Sequence, residues 1–168
     1  MAEDWVLVQN QTIAEELESE PVDLIASLKT LVGNTVSVYF RAHGYHWNVK
    51  GLNFPQLHEF FGTIYEDLYG SIDDTAEWLR KLETDAPYRL QDFIQYRDIQ
   101  DALIPPVQSV GMIKDLLMGI EGLDDCTEKC LKLATEADEQ GLINFLAGRL
   151  DMLDKWEWQL KSSISEVL

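Results

Sequence analysis

Two of the chain's three histidines, His46 and His58, bound one short stretch: His46-Trp47-Asn48-Val49-Lys50-Gly51-Leu52-Asn53-Phe54-Pro55-Gln56-Leu57-His58. Gly51 and Asn53 suit the end of one helix, and Pro55 suits the first turn of the next. His46 is then in the last turn of one helix and His58 in the first turn of its successor. An antiparallel helix hairpin brings the two imidazoles near each other at one end. Further along, Asp73 and Glu77 are spaced i,i+4 and share a helix face. Two imidazoles and two carboxylates form a mixed nitrogen and oxygen donor set, a kind that suits iron, zinc or manganese.

Spacing limits how these groups meet. With His58 at 0° on a helical wheel, Asp73 falls at about 60° and Glu77 at about 100°, so all three lie on one stripe. Yet from His58 to Asp73 the helix rises about 22 Å. One copy of this helix cannot bring both to one ion. A twofold axis crossing the helix near its middle solves the problem, because His46 and His58 of one chain then face Asp73 and Glu77 of another. An isologous interface gives two such sites. The bland reading stays open on spacing alone: histidines satisfied at helix ends, and Asp73-Asp74 with Glu77 as a solvated acidic face. The E-x-x-H pair of di-iron bundles is absent.

The elements that must carry these residues follow from apolar periodicity. Leu24, Ile25, Leu28, Leu31, Val32, Thr35, Val38 and Tyr39 recur at three-to-four spacing and predict a first helix from Pro21 to about Trp47. Gly33 within it points to close packing. A second helix is expected from Pro55 to about Glu83, along Leu57, Phe60, Phe61, Ile64, Leu68, Ile72, Ala76 and Leu79. Residues 84–106 read as a crossover, punctuated by Pro87, Pro105 and Pro106, with a short helix expected over Phe93–Ala102. A third long helix runs from about Pro106 to Ala137, buried along Val110, Ile113, Leu116, Leu117, Ile120, Leu123, Cys130, Leu131 and Ala134. A fourth runs from about Gln140 to Ile164, along Leu142, Phe145, Leu146, Leu150, Leu153, Trp156 and Leu160. Four long helices with one long middle connection make an all-α, ferritin-like four-helix bundle over residues 21–168, a known host for carboxylate–histidine metal sites. Residues 1–20 read as an acidic N-terminal arm with a short apolar patch at Trp5–Val8.

Charge narrows the function. The chain has 168 residues, with 30 acidic against 13 basic side chains and a net charge of −17. Its first twenty residues hold five glutamates and an aspartate but no lysine or arginine. DNA binding ordinarily rests on neutralising phosphates with Lys and Arg, so DNA is not an expected partner. An acidic surface attracts cations instead. No apolar run is long enough for a membrane span, and the N-terminus lacks the basic and apolar regions of a signal peptide, so a cytoplasmic protein is expected. Cys126 and Cys130, four apart on a helix, have poor geometry for a disulfide and read as reduced packing thiols.

At these residues the sequence resembles the Dps family, the mini-ferritins named as DNA-binding proteins from starved cells. The likeness is carried by His46-Trp47-Asn48-Val49-Lys50-Gly51, Phe54, Leu57-His58-Glu59 and Asp73-Asp74-Thr75-Ala76-Glu77. Leu153-Asp154-Lys155-Trp156 and Trp158 extend it, and it covers about residues 22 to 162. The resemblance implies a bundle with a short helix in its crossover, assembled from twofold dimers into a hollow dodecamer. It implies ferroxidase centres shared between subunits, with His46 and His58 of one chain and Asp73 and Glu77 of its partner as ligands. Iron is the expected metal, with zinc as a possible alternative occupant. The implied activity oxidises Fe(II), preferably with hydrogen peroxide rather than oxygen, stores ferric mineral and so limits oxidative damage.

Electrons need a path between oxidant, iron and core, and Trp47, beside His46, is placed to carry them, with an aromatic packing the dimer seam as the alternative. His43 is a candidate partner for His46, or an ordinary surface histidine. Asp138 and Glu139 are candidates for an iron-entry pore, against a solvated turn, and Asn144 stands where the family often has Asp. One departure is specific. The family usually has a carboxylate four residues past the second histidine, where this chain has Gly62. Glu66 is about 12 Å from His58 along the helix and Glu59 points about 100° off the stripe. The site therefore lacks one anionic ligand, with water as a replacement. Weaker iron binding is expected, or a shell with an impaired or altered centre.

Overall fold

The structure, a computed structural model, describes residues 22–165. Five helices make up its regular structure: α1 (Val22–Asn48), α2 (Phe54–Lys81), α3 (Leu90–Tyr96), α4 (Ser109–Glu136) and α5 (Gln140–Ile164). There is no strand among the described residues. The four long helices form a bundle in which α1 packs on α2 and α4, α4 packs on α5, and α3 lies across α1. The expected N-terminal arm, residues 1–20, lies outside the described residues. No helix among them is long and apolar enough to cross a membrane.

The apolar periodicity explains the burial. On α1 the buried positions are Leu24, Leu28, Leu31, Val32, Val38, Ala42 and Tyr45, at three-to-four spacing. Phe61, Ile64, Leu68 and Leu79 do the same on α2, and Leu142, Leu146, Leu153, Trp156 and Leu160 on α5. Such stripes stabilise helices by tertiary burial rather than by propensity. Three threonines enter this core at no cost in unpaired hydroxyls. Thr35, Thr75 and Thr127 each donate to the carbonyl four residues back, at 2.7 Å. Both cysteines are free, and buried Cys130 packs 3.1 Å from Ser27 Oγ.

The expected boundaries shift at three places. The crossover helix spans Leu90–Tyr96 and not Phe93–Ala102. Its start is fixed by Asp92, whose carboxylate accepts from Arg89 N at 3.2 Å and from the Arg89 guanidinium at 2.6 Å. Its end is fixed from outside: buried Asn34 on α1 accepts from Asp98 N at 2.8 Å and Ile99 N at 3.0 Å. These bonds hold the chain extended where a longer helix would run. The second helix stops at Lys81, and Glu83 closes it with a left-handed backbone (φ 57°). The third long helix begins at Ser109, past the two prolines, so Val110 sits in its first turn and is 51% exposed rather than buried.

One polar cluster anchors the end of α1 that carries His46. Arg41 pairs with Asp115 of α4 (Nε to Oδ2, 3.3 Å) and donates to the Asp115 carbonyl at 2.9 Å. Its other arm donates to the Gln100 carbonyl of the crossover at 2.7 Å. Tyr45 donates to Asp115 Oδ2 at 2.5 Å, and burial followed by that bond pushes the Tyr45 phenol well above its ordinary range. A buried charge that is paired and fully hydrogen-bonded is tolerated where an isolated one is not.

Candidate metal centre

The turn after α1 brings the histidine pair together. Gly51 takes a left-handed φ of 111°, a conformation open to glycine, and reverses the chain between α1 and α2. His46 stands in the last turn of α1, and His58 opens the second turn of α2. Their rings stack with centroids 3.7 Å apart and planes at 22°. The two residues are locked by a crossed pair of hydrogen bonds. His46 Nδ1 lies 2.7 Å from the His58 carbonyl, and His58 Nδ1 lies 2.7 Å from the His46 carbonyl. A carbonyl only accepts, so each Nδ1 must be the protonated, donating nitrogen. In the neutral rings the lone pair is then on Nε2 in both, free of the backbone contacts that hold Nδ1. A backbone carbonyl holding one ring nitrogen so that the other can bind a metal is a familiar arrangement of metal-ligating histidines.

The carboxylates do not join them within one chain. Asp73 and Glu77 are carried on α2, about 22 and about 28 Å along the helix from His58. Among the described residues, no group of three or more His, Cys, Asp or Glu side chains is placed to hold a metal ion. The single chain therefore presents two nitrogen donors and no anionic ligand beside them.

Gly62 is buried against this pair. A Cβ there would stand 3.3 Å from His46 Nδ1 and 3.5 Å from its Cε1. The ring edge of His46 thus takes the space that a side chain at position 62 would enter. His43 does not partner His46. Its Nδ1 is 3.1 Å from the Tyr39 hydroxyl, and burial, then neighbouring His46, lowers its basicity. Trp47 is 62% exposed, with its ring 4.0 Å from that of His43.

A run of tyrosines beside the histidines was not among the expected site residues. Tyr65 meets His46 edge to face at 5.2 Å and stacks on His43 at 4.0 Å. Tyr39 lies 6.2 Å from Tyr65 and 5.5 Å from Tyr69. Burial, then Tyr69 and Tyr65 alongside, raises the Tyr39 phenol. The only signal in the sequence is spacing: Tyr39 precedes His43 by one helical turn, and Tyr65 follows His58 by two.

At the far end, Asp138 occupies the α4–α5 turn with a left-handed φ of 56° and accepts from Gln140 Nε2 at 2.9 Å. Glu139 stands at the N-cap position of α5 without a side-chain hydrogen bond to the helix, and Asn144 lies in its first turns.

Comparison with known proteins bears on this arrangement. A ferritin-like domain model matches residues 25–167. The chain is 27% identical over 135 residues to a DNA protection during starvation protein of Brevibacillus brevis, covering 80% of this chain and 90% of that protein. It is 24% identical over 143 residues to DNA protection during starvation protein 2 of Bacillus anthracis, covering 85% and 97%. The structure superposes on the Dps protein of Vibrio cholerae with a TM-score of 0.80 and 25% identity, covering 84% of this chain and 89% of that one. That protein is described as a member of a broad superfamily of ferritin-like diiron-carboxylate proteins.

Proposed function

The chain belongs to the ferritin-like family, within its Dps branch, and from that premise we propose that it is an iron-oxidising, iron-storing shell protein. In this reading it oxidises Fe(II), with hydrogen peroxide preferred over oxygen, and keeps the ferric product inside a hollow dodecamer. Consuming both reagents together limits oxidative damage. Iron is substrate and cargo here, and the metal-binding residues are His46 and His58 of one subunit with Asp73 and Glu77 of the partner subunit.

The observation that carries the reading is the crossed hydrogen bonding of the histidine pair. It fixes both tautomers and leaves the Nε2 lone pair of each of two stacked rings available to a metal. Preorganised donors bind without first paying to order their rings. The partner's carboxylates supply the anionic charge that the lone chain lacks, and that charge favours Fe(III) over Fe(II). A cation-attracting surface with net charge −17 assists iron delivery, and Asp138 and Glu139 are the residues assigned to the entry route.

A second reading is favoured by one feature, buried Gly62 against His46: an assembled shell whose centre binds less iron. One experiment separates the two. Anaerobic Fe(II) titration of the purified assembly counts irons per subunit, and peroxide is then added. The first reading expects saturable binding, peroxide-driven oxidation well above a buffer blank, and loss of both in His46→Ala/His58→Ala. Oxidation that persists in the double variant sinks the assigned site. Assembly without binding establishes the second reading.

A further inference from the structure

We propose that Cys126 and Cys130 on α4 form a binding site for a soft monovalent ion, Cu(I), held between their two thiolate sulfurs. The site lies apart from the histidine pair and does not depend on the iron-oxidising reading.

The spacing that rules out a disulfide suits a shared ion. Residues i and i+4 of a helix carry their Cβ atoms about 5–6 Å apart, while a disulfide needs about 3.5–4.5 Å. Two metal–thiolate bonds of about 2.3 Å each let the sulfurs stand up to about 4.6 Å apart. Both thiols are free, and they hydrogen-bond each other, so they already face one point. Each is also engaged from α1. Ser27 Oγ stands 3.1 Å from Cys130 Sγ, and Asn34 hydrogen-bonds Cys126. Asn34 Oδ1 is taken by Asp98 N and Ile99 N, so its amide nitrogen is the group that donates to the sulfur. Packing alone asks for a small apolar side chain at each position, not for two sulfurs each with a polar partner.

The donor count selects the ion. Structural zinc takes four ligands, and among the described residues no third His, Cys, Asp or Glu is placed to join the two thiols. Cu(I) is soft, favours thiolate, and binds two of them in line. Cys130 is fully buried and Cys126 is not, so the ion meets Cys126 first and Cys130 completes the pair. Asp98 lies near Cys126 and favours an arriving cation. Binding exchanges two thiol protons for one Cu(I), which leaves one net negative charge. The Lys129 ammonium, near both sulfurs, offsets it. Free Cu(I) gives peroxide one electron and releases hydroxyl radical, and a two-sulfur site withdraws the ion from that chemistry.

The test is an anaerobic Cu(I) titration of the purified, thiol-reduced protein against bicinchoninate, a colorimetric competitor, followed by X-ray absorption on the loaded sample. The protein is expected to withdraw one Cu(I) per subunit from the competitor, and the copper to have two sulfur neighbours and no imidazole. Cys126→Ser and Cys130→Ser are each expected to lose the copper to the competitor. Met118→Leu, which removes another sulfur from an exposed position of α4, keeps it. The wild-type spectrum needs no variant to fold. No withdrawal of copper by the wild type, copper bound through imidazole nitrogen, or binding undiminished in Cys126→Ser overturns the site.

Discussion

Gly62 sits where two demands meet, because the position that lacks a carboxylate is also in contact with the imidazole of His46, a proposed metal ligand. An added Cβ would lie 3.3 Å from His46 Nδ1, so the ring must give by a few tenths of an ångström. Replacing Gly by Ala in a helix interior gains about 1 kcal/mol of propensity, while overpacking costs about 1–3 kcal/mol. Because the crowded group is the edge of a ring and not backbone, the two nearly cancel in stability. The effect falls on His46 and its bond to the His58 carbonyl. Gly62→Ala is therefore expected to leave the melting temperature within a few degrees of wild type and to weaken anaerobic Fe(II) binding. Gly62→Asp adds the same crowding but also a carboxylate one turn from His58, and is expected to raise the number of Fe(II) bound per subunit. Isothermal titration calorimetry under nitrogen compares them. Equal iron counts in Gly62→Asp and wild type would remove Gly62 as the cause of any deficit.

At the scale of elements, the register of α1 against its neighbours decides most of what the site contains. Gly33 shows how tightly one neighbour is held. A Cβ there would meet Phe93 O and Arg97 N at 3.0 Å, and both are backbone atoms of α3 and its exit. Backbone cannot retreat as a side-chain tip can. Gly33→Ala is thus expected to destabilise by about 1–3 kcal/mol despite its better helix propensity, measured as a lower urea midpoint with an unchanged slope. An unchanged midpoint would mean that α3 is free to move off α1. The long helices and the His46–His58 hairpin were legible in the sequence because periodicity, Gly51 and Pro55 act locally. The crossover helix was not, because Asn34, more than sixty residues away, decides where it ends. The tyrosine run was hidden for a related reason. Tyr39 belongs to α1, and Tyr65 and Tyr69 to α2, so nothing joins them until the two helices are packed in register. The crossed imidazole bonds were hidden too, since spacing predicts proximity but not which ring nitrogen is engaged.

Charge is a property of the whole molecule, and its excess of acid leaves a mark on stability. Most carboxylates in folded proteins gain from a partner. Burial works against ionising Asp67, but the Arg149 fork, at 2.8 and 2.9 Å, and Trp156 Nε1 outweigh it and hold that carboxyl below the usual range. Its stabilisation is present at neutral pH and lost as pH falls. Asp124 on α4 is the opposite case. Its Oδ1 is buried with no hydrogen-bond partner among the described residues. Burial first, then Asp154, Glu128, Glu157 and Asp125, pushes its carboxyl up to about 6. A folded-state value above the unfolded one of about 3.9 means that the native chain binds this proton more tightly. The contribution is complete below about pH 4 and is lost as pH rises through about 6. Asp124→Asn keeps the shape and removes the charge. It is expected to melt higher than wild type at about pH 8, with the gap narrowing through pH 6 and closing near pH 4. Differential scanning calorimetry across that range, in chelator-treated buffer so that no bound cation masks the charge, reads the gap directly. A constant offset at every pH would mean that the substitution acts through packing, and that the acidic cluster around Asp124 costs the fold nothing.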